Sequence, residues 1–230
     1  MNPNQTQGVS AVIPAAGLSS RMHEYKPLLD LGGLPMVEQV IRLFQGAGIR
    51  DIVVVTGHNR EQLEPVIRKS GARPVYNKGF TTGMLGSVKT GIRALPDKTC
   101  GFFLLPVDIP AIRPATIREL INAFVKTPDT IIFPSFLEQT GHPPLIPGPL
   151  IPDILSIPPR SNLGEFLSSP GLQKRAVYVH DRGIHMDADT PEAYSRLAKR
   201  FSRLDIPDRE ECLSLIRTEL ENDTALQDHM

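Results

Sequence analysis

The chain has 230 residues, of which 40% are hydrophobic and 22% are charged. That length fits one α/β domain with a short appendage, and it can bury a core that needs no disulfide bonds. The 25 lysines and arginines balance the 25 aspartates and glutamates, which excludes a general attraction to nucleic acids or acidic membranes, so any anion binding needs a local cluster.

Cysteine spacing and hydropathy narrow the possible kinds of site and the expected cellular compartment. Cys100 and Cys212 lie far apart and form no CxxC pair, which argues against a disulfide framework or a structural zinc site. Residues 1–10 are polar, unlike a signal peptide, and no apolar run is long enough for a membrane span. We therefore expect a cytoplasmic protein that acts on small molecules, without a nucleic acid or membrane partner.

Apolar segments and amphipathic segments alternate from residue 9 to residue 134. The run Ile52-Val53-Val54-Val55 is apolar on both faces, which is typical of a parallel strand covered by helices on each side. Such alternation predicts an α/β fold with a doubly wound, mostly parallel sheet flanked by helices, in which ligands bind beyond the carboxyl ends of the strands. The predicted strands are 9–14, 51–56, 72–76, 100–107 and 130–134, and the predicted helices are 36–46, 60–69, 84–94 and 115–125.

From residue 136 the chain contains more proline and glycine. We expect three regions: a disordered leader at 1–8, a main domain at 9–203 and a helical tail at 204–230. The pattern predicts a short helix at 163–167, a strand at 176–180, a turn or strand at 183–189 and helices at 190–201 and 209–220.

Small and cationic residues follow the first strand. The segment reads Pro14-Ala15-Ala16-Gly17-Leu18-Ser19-Ser20-Arg21, and Lys26 comes shortly after it. Small side chains let the backbone approach a polyphosphate, whose oxygens the exposed N–H groups, the Arg21 guanidinium and the Lys26 ammonium could bind. The alternative is a glycine-containing turn with two surface cations, since the segment is neither a Walker loop nor a GxGxxG motif.

Carboxylates stand at two further places that the predicted sheet would bring to its carboxyl edge. Asp108 follows a strongly apolar strand and could hold a hard cation through oxygen, or it could cap a turn before Pro110. Asp187 and Asp189 precede a predicted helix, where Asp189 could bind metal, cap the helix with Glu192 as its capping-box partner, or do both. The sequence thus offers three candidate metal ligands.

A helix start and a loop histidine complete the candidate sites. Gly83-Met84 opens a predicted helix with Ser87 one turn inside, and a helix N-terminus offers free N–H groups to an anion. His142 lies in a Gly-His-Pro-Pro loop, where it is either a substrate contact or a hydrogen-bonded turn residue.

Together these segments resemble the signature of the MobA-like nucleotidyltransferase superfamily over roughly residues 9–201, and within it most resemble the molybdenum cofactor cytidylyltransferases. The first segment is similar to the (L/P)AAGxSxRM pattern with its following lysine. The other similarities are Thr82-Gly83-Met84-Leu85-Gly86-Ser87-Val88 to GMSxSL, Pro106-Val107-Asp108-Ile109-Pro110 to GDMP, Gly141-His142-Pro143-Pro144 to G(N/H)P, and Asp187-Ala188-Asp189-Thr190-Pro191-Glu192 to DIDTPED.

The resemblance implies a Mg²⁺-dependent (or Mn²⁺-dependent) enzyme that transfers CMP from CTP to the phosphate of molybdopterin and releases pyrophosphate. It implies catalytic roles for Lys26 and Arg21, an acceptor contact at His142, and metal ligation by Asp108 and Asp189 with Asp187 in reserve. The implied nucleotide-binding residues are Pro14, Ala15, Ala16, Gly17, Leu18, Ser19, Thr56, Asn77, Gly83, Met84 and Ser87.

The sequence departs from the family pattern at two places, and the second, in the acceptor half of the site, leaves the acceptor open. Pro106-Val107-Asp108 replaces the usual Leu-Gly-Asp, and Arg160-Ser161-Asn162-Leu163 stands where cytidylyltransferases usually have Gly-Asp-x-Gly-Ala-Arg. A sugar phosphate or alditol phosphate acceptor is therefore one alternative, and a nucleotide-binding sensor module without catalysis is another. The segment 206–230 resembles the linker into an HD-type phosphohydrolase domain, so a fused or partner domain at the C-terminus is a further expectation.

Overall fold

The structure is a computed structural model that describes residues 6–17, 22, 24–159 and 161–222. Within these residues no helix is both long and apolar enough to cross a membrane. The strands are β1 (Val9–Pro14), β2 (Asp30–Leu31), β3 (Leu34–Pro35), β4 (Asp51–Thr56), β5 (Arg73–Tyr76), β6 (Gly101–Leu104), β7 (Ile131–Phe136), β8 (Gln139–Thr140), β9 (Leu145–Pro147) and β10 (Lys174–Tyr178). The α-helices are α1 (Met36–Gly46), α2 (Arg60–Lys69), α3 (Met84–Ile92), α4 (Pro114–Lys126), α5 (Ile151–Ser156), α6 (Leu163–Leu167), α7 (Pro191–Phe201) and α8 (Arg209–Asn222).

The main sheet confirms the predicted doubly wound, mostly parallel architecture. Its strand order is β10-β7-β9-β6-β1-β4-β5, with β8 paired to β7, while β2 and β3 form a separate two-stranded ribbon. The pairs that involve β8 or β9 are antiparallel, and the other pairs in this sheet are parallel. The strand β9 is not predicted from the sequence, because three residues in a proline-rich stretch are too few to show a period.

Apolar side chains cover both faces of the sheet, which explains the unbroken apolar runs. On β1, Ala11 and Ile13 face the core shared with α1, α2 and α4, whereas Val12 faces the core shared with α3, α5 and α6. Gly91 of α3 lies so close to β1 that a β-carbon at Gly91 would come within 2.4 Å of Val12 Cγ1. This helix therefore packs directly on the centre of the sheet, and a helix that returns across a parallel sheet begins at the carboxyl edge.

A buried carboxylate attaches the tail helix α8 to the rest of the fold. Glu211 is fully buried and accepts hydrogen bonds from Arg113 Nη2 at 2.6 Å, Arg200 Nη2 at 2.8 Å, Asp208 N at 2.9 Å and Arg182 N at 3.0 Å. Burial alone would raise the pKa of Glu211, but these hydrogen bonds and the Arg113 charge outweigh it, so the pKa is lowered. The carboxylate thus joins α8 to the start of α4 and to α7.

Candidate active site

Lys26 lies between two carboxylates that come from distant parts of the chain. Its Nζ atom donates to Asp189 Oδ1 at 2.6 Å and to Asp108 Oδ2 at 3.4 Å. The exposed fractions of the side chains are 11% for Lys26, 24% for Asp108 and 35% for Asp189, so water screens this cluster only partly. The structure therefore unites three residues that the sequence analysis singled out separately.

Backbone hydrogen bonds bring the two acidic segments together. Ala188 N donates to Asp108 O at 2.9 Å, which fixes the second segment against the first. The side chain of Thr190 caps α7, because its hydroxyl oxygen accepts from Ala193 N at 3.2 Å. The interpretation of Asp189 as the helix cap is therefore wrong, and its carboxylate is directed to Lys26 instead.

Asp187 lies apart from the pair formed by Asp108 and Asp189. Its Oδ1 accepts from Asp189 N at 3.0 Å, and its exposed side chain lines a separate cavity of about 350 Å³ together with Arg182 and Arg196. In the described part of the chain, no group of three or more His, Cys, Asp or Glu residues could hold a metal ion. Asp108 and Asp189 thus converge, whereas Asp187 supports the turn that carries Asp189.

The electrostatics of the pair suit a hard cation. Burial raises the pKa of Asp108; the Lys26 charge opposes this rise and the Asp189 charge adds to it. A positive charge between the carboxylates offsets their mutual repulsion, and carboxylate oxygens are the ligands that Mg²⁺ and Mn²⁺ prefer. Since Mg²⁺ usually binds one or two carboxylates and takes its other ligands from water and phosphates, this donor set fits such an ion.

The loop after β1 starts next to these groups. Pro14 O accepts from Val107 N at 3.2 Å, immediately before Asp108. The Tyr25 hydroxyl donates to His58 O at 2.7 Å and lies 3.5 Å from Ala15 O, so it ties the loop to the segment after β4. Ala15, Ala16 and Gly17 are described at the end of β1, whereas Leu18, Ser19 and Arg21 lie outside the described residues.

Gly57 permits a close approach that the sequence analysis overlooked. A β-carbon at this position would lie 2.6 Å from Phe80 Cβ and 2.8 Å from both Cβ and O of Ala16. Only glycine therefore lets the loop after β1 meet the segment around Phe80. Its position directly after a buried strand had placed the Thr56-Gly57 step among the candidate segments at the carboxyl edge, whereas Tyr25 carried no comparable signal.

The side chains of Thr56, Asn77 and Ser87 support the wall of the site. Thr56 is fully buried and donates to Glu64 Oε1 at 3.2 Å, while its carbonyl accepts from Asn77 N at 2.9 Å. Asn77 Nδ2 donates to Ser87 Oγ at 3.1 Å, and Asn77 Oδ1 accepts from Gly79 N at 3.0 Å. These bonds hold the turn after β5 against α3.

A cavity of about 700 Å³ adjoins the carboxyl edge between Pro14 and Pro106. Gly83, with φ of 114°, starts α3 at this cavity, and Met84 extends into it with 58% of its surface exposed. Among the described residues that line the cavity there is no lysine or arginine. A phosphate group bound there would therefore need a positive partner from outside the described lining.

His142 lines the same cavity. Its backbone N–H donates to Ile184 O at 3.0 Å, which fixes the loop. Desolvation and the nearby charge of His185 lower the pKa of His142, which favours the neutral imidazole, and a neutral imidazole can both donate and accept a hydrogen bond.

Known proteins resemble this chain in sequence and in fold. Residues 11–175 match the MobA-like NTP transferase domain. The molybdenum cofactor cytidylyltransferase of Escherichia coli K12 is 26% identical over 197 residues, which cover 85% of this chain and 98% of that protein. Bifunctional protein GlmU of Clavibacter sepedonicus is 31% identical over 150 residues, which cover 63% of this chain but only 30% of GlmU. Rv0371c of Mycobacterium tuberculosis H37Rv, in a crystal structure with manganese, has a TM-score of 0.70 at 20% identity and covers 83% of this chain and 98% of that one.

These similarities confirm the resemblance found in the motifs. The matched domain covers more than half of the chain, and the cytidylyltransferase is similar along almost its whole length. The solved structure confirms the fold, and a metal is bound in that relative. The chain therefore belongs to the MobA-like NTP transferase family, which is a family of nucleotidyltransferases.

Proposed function

We propose that the protein transfers CMP from CTP to a phosphate-bearing acceptor in the cytoplasm and releases pyrophosphate, with molybdopterin as the first candidate acceptor. The convergence of Lys26, Asp108 and Asp189 beside the loop of small residues carries this proposal. Similarity to the molybdenum cofactor cytidylyltransferase over 85% of the chain supports the choice of nucleotide and acceptor.

In the proposed reaction, an acceptor phosphate oxygen attacks the α-phosphorus of CTP in line. The new P–O bond forms as the bond from the α-phosphorus to the bridging oxygen breaks, and that oxygen leaves with pyrophosphate. Lys26 and Arg21 neutralise the charge on the phosphates, while the backbone after Pro14 holds them in position. Asp108 and Asp189 would hold Mg²⁺ or Mn²⁺, which supplies a Lewis acid for the α-phosphate. Positioning of the reactants and electrostatic stabilisation of the transition state account for most of the rate enhancement in such transfers.

A pyrophosphate-release assay tests the proposal directly. Each of the four ribonucleoside triphosphates is paired with molybdopterin, with a set of sugar phosphates and with a set of alditol phosphates, all with Mg²⁺. We expect release with CTP and molybdopterin. Nucleotide binding by calorimetry without release for any pair would instead identify a sensor module and overturn the proposal.

A sugar phosphate or alditol phosphate is the second candidate acceptor. Ser161 and Asn162 line the cavity within the stretch where cytidylyltransferases usually have Gly-Asp-x-Gly-Ala-Arg. Hydroxyl and amide side chains are well suited to hydrogen-bond the hydroxyl groups of a polyol. Release with CTP and one of these phosphates, but not with molybdopterin, would establish this alternative.

We expect His142→Ala to raise the KM for the acceptor about fivefold, because one hydrogen bond to the substrate contributes about 1 kcal/mol. The KM for CTP should stay unchanged. His180→Ala is the matched control, since His180 hydrogen-bonds to Ser214 and lies outside the cavity lining. Steady-state kinetics with each substrate varied in turn provide the measurement, and equal changes in both KM values would contradict the assigned contact.

We expect Gly57→Ala to weaken CTP binding about tenfold, because the new methyl group would push against Ala16 and Phe80 and overpacking of this kind costs about 1–3 kcal/mol. Calorimetry with CTP measures the affinity. Gly171→Ala is the control, since a β-carbon at Gly171 would meet nothing within 4 Å. An unchanged affinity in Gly57→Ala would show that the close approach does not shape the nucleotide site.

A further inference from the structure

We propose that Lys26 is a built-in counter-ion that a divalent cation must displace from Asp108 and Asp189, so that metal binds tightly only after a triphosphate has drawn Lys26 away. The inference rests on the metal-binding part of the proposed function. It adds an order of events and assigns Lys26 two successive partners: the carboxylates first and the phosphates second.

The geometry places both cations in one gap. Lys26 Nζ lies 2.6 Å from Asp189 Oδ1 and 3.4 Å from Asp108 Oδ2. A Mg²⁺ ion bound to the same oxygens needs distances of about 2.0–2.1 Å. Ammonium and metal would therefore compete for the same oxygen atoms, and at such a separation two positive charges repel each other because water screens the cluster only partly.

The second position of Lys26 is within the reach of its side chain. Its backbone lies near the phosphate loop, because the hydroxyl of the preceding residue, Tyr25, donates to Ala15 O at 3.5 Å. Lysine carries its charge on a flexible four-carbon chain, so side-chain rotation can move the ammonium from the carboxylates to the loop without backbone movement. A triphosphate offers more negative charge than two carboxylates and can attract the ammonium.

This exchange makes metal binding and nucleotide binding cooperative. A nucleotide that removes Lys26 from the carboxylates raises the affinity of the site for the metal, and by linkage the metal raises the affinity for the nucleotide by the same factor. Without nucleotide, the ammonium offsets part of the negative charge of the two carboxylates and disfavours the binding of free metal. The protein would thus favour the metal that arrives with its substrate.

Binding of Mn²⁺ to the full chain, followed by the electron paramagnetic resonance signal of free Mn²⁺, tests the inference without turnover. In the absence of nucleotide we expect Lys26→Met to bind Mn²⁺ about tenfold or more tightly than the wild type, since a neighbouring positive charge lowers the proton affinity of a carboxylate by about one to three powers of ten and should oppose a metal cation in the same way. Lys26→Arg keeps the charge and should bind as weakly as the wild type. An α,β-methylene analogue of CTP should raise the affinity for Mn²⁺ more in the wild type than in Lys26→Met.

Two outcomes would overturn the inference. One is a nucleotide-free affinity in Lys26→Met that is no tighter than in the wild type. The other is a gain that survives in the double variant Lys26→Met with Asp108→Asn, which would place the metal elsewhere; thermal unfolding confirms that each variant is folded. Pyrophosphate release by the wild type is measured separately, so failure of the proposed transfer and failure of the counter-ion role give different results.

Discussion

Lys26→Ala lowers the rate of pyrophosphate release by about 10²–10³-fold while the protein stays folded. We expect this result because one preorganised donor at a centre of developing charge contributes about 3–4 kcal/mol to transition-state stabilisation. The side chain is only 11% exposed, so water cannot replace the ammonium effectively. The measurement is kcat/KM for CTP and acceptor at saturating Mg²⁺, with thermal unfolding as the check on the fold.

Lys69→Ala is the matched control for the loss of a positive charge. Lys69 is exposed in the last turn of α2 and contributes nothing to the candidate site, so its replacement should leave turnover unchanged. Near-normal pyrophosphate release by Lys26→Ala would show that Lys26 has no catalytic role. The counter-ion role also predicts that loss of the Lys26 charge slows turnover but strengthens nucleotide-free metal binding, a combination that a purely structural role for Lys26 does not produce.

Glu211→Ala is expected to lower the free energy of unfolding by about 3–5 kcal/mol, the usual effect of removing one partner from a buried ion pair. The substitution would leave the guanidinium groups of Arg113 and Arg200 without their shared carboxylate, and their side chains are only 18% and 7% exposed. Urea unfolding at neutral pH measures the change. Glu210→Ala is the neighbouring control: Glu210 pairs with Arg182 at 3.3 Å but is 55% exposed, so its loss should cost no more than about 1 kcal/mol.

The contribution of Glu211 to stability depends on pH. Because the folded state lowers its pKa, the stabilisation is fully present above the ordinary glutamate value of 4.5 and is lost as the pH falls through the folded-state pKa. The difference in stability between the wild type and Glu211→Gln should therefore narrow on acidification below that value. A difference that stays constant on acidification would contradict an ionised, hydrogen-bonded Glu211.

Local patterns were sufficient for most of the fold. The predicted bounds of β1, α1, β4, α2 and α6 are those of the structure, because hydrophobic period, first-turn prolines and glycine stops act within a few residues. The strand β9 and the helix α5 were not predicted, since both lie in a proline-rich stretch where short apolar runs show no period. The antiparallel position of β9 depends on the gap left between β6 and β7, which no local pattern contains.

The sequence by itself determined most of the elements, the residue types at the carboxyl edge and the family, because periodicity and motif spacing are properties of neighbouring residues. Only the tertiary structure decided which carboxylates meet: Asp189 turns to Asp108 and Lys26, Asp187 holds the turn, and Thr190 caps the helix. In the folded chain the Thr56 side chain also donates to Glu64 of α2, and Glu211 is buried between Arg113 and Arg200. Such pairings form when segments that are distant in sequence pack together. The distance between two charged groups and their exposure to water set the strength of their interaction, and both exist only in the folded chain.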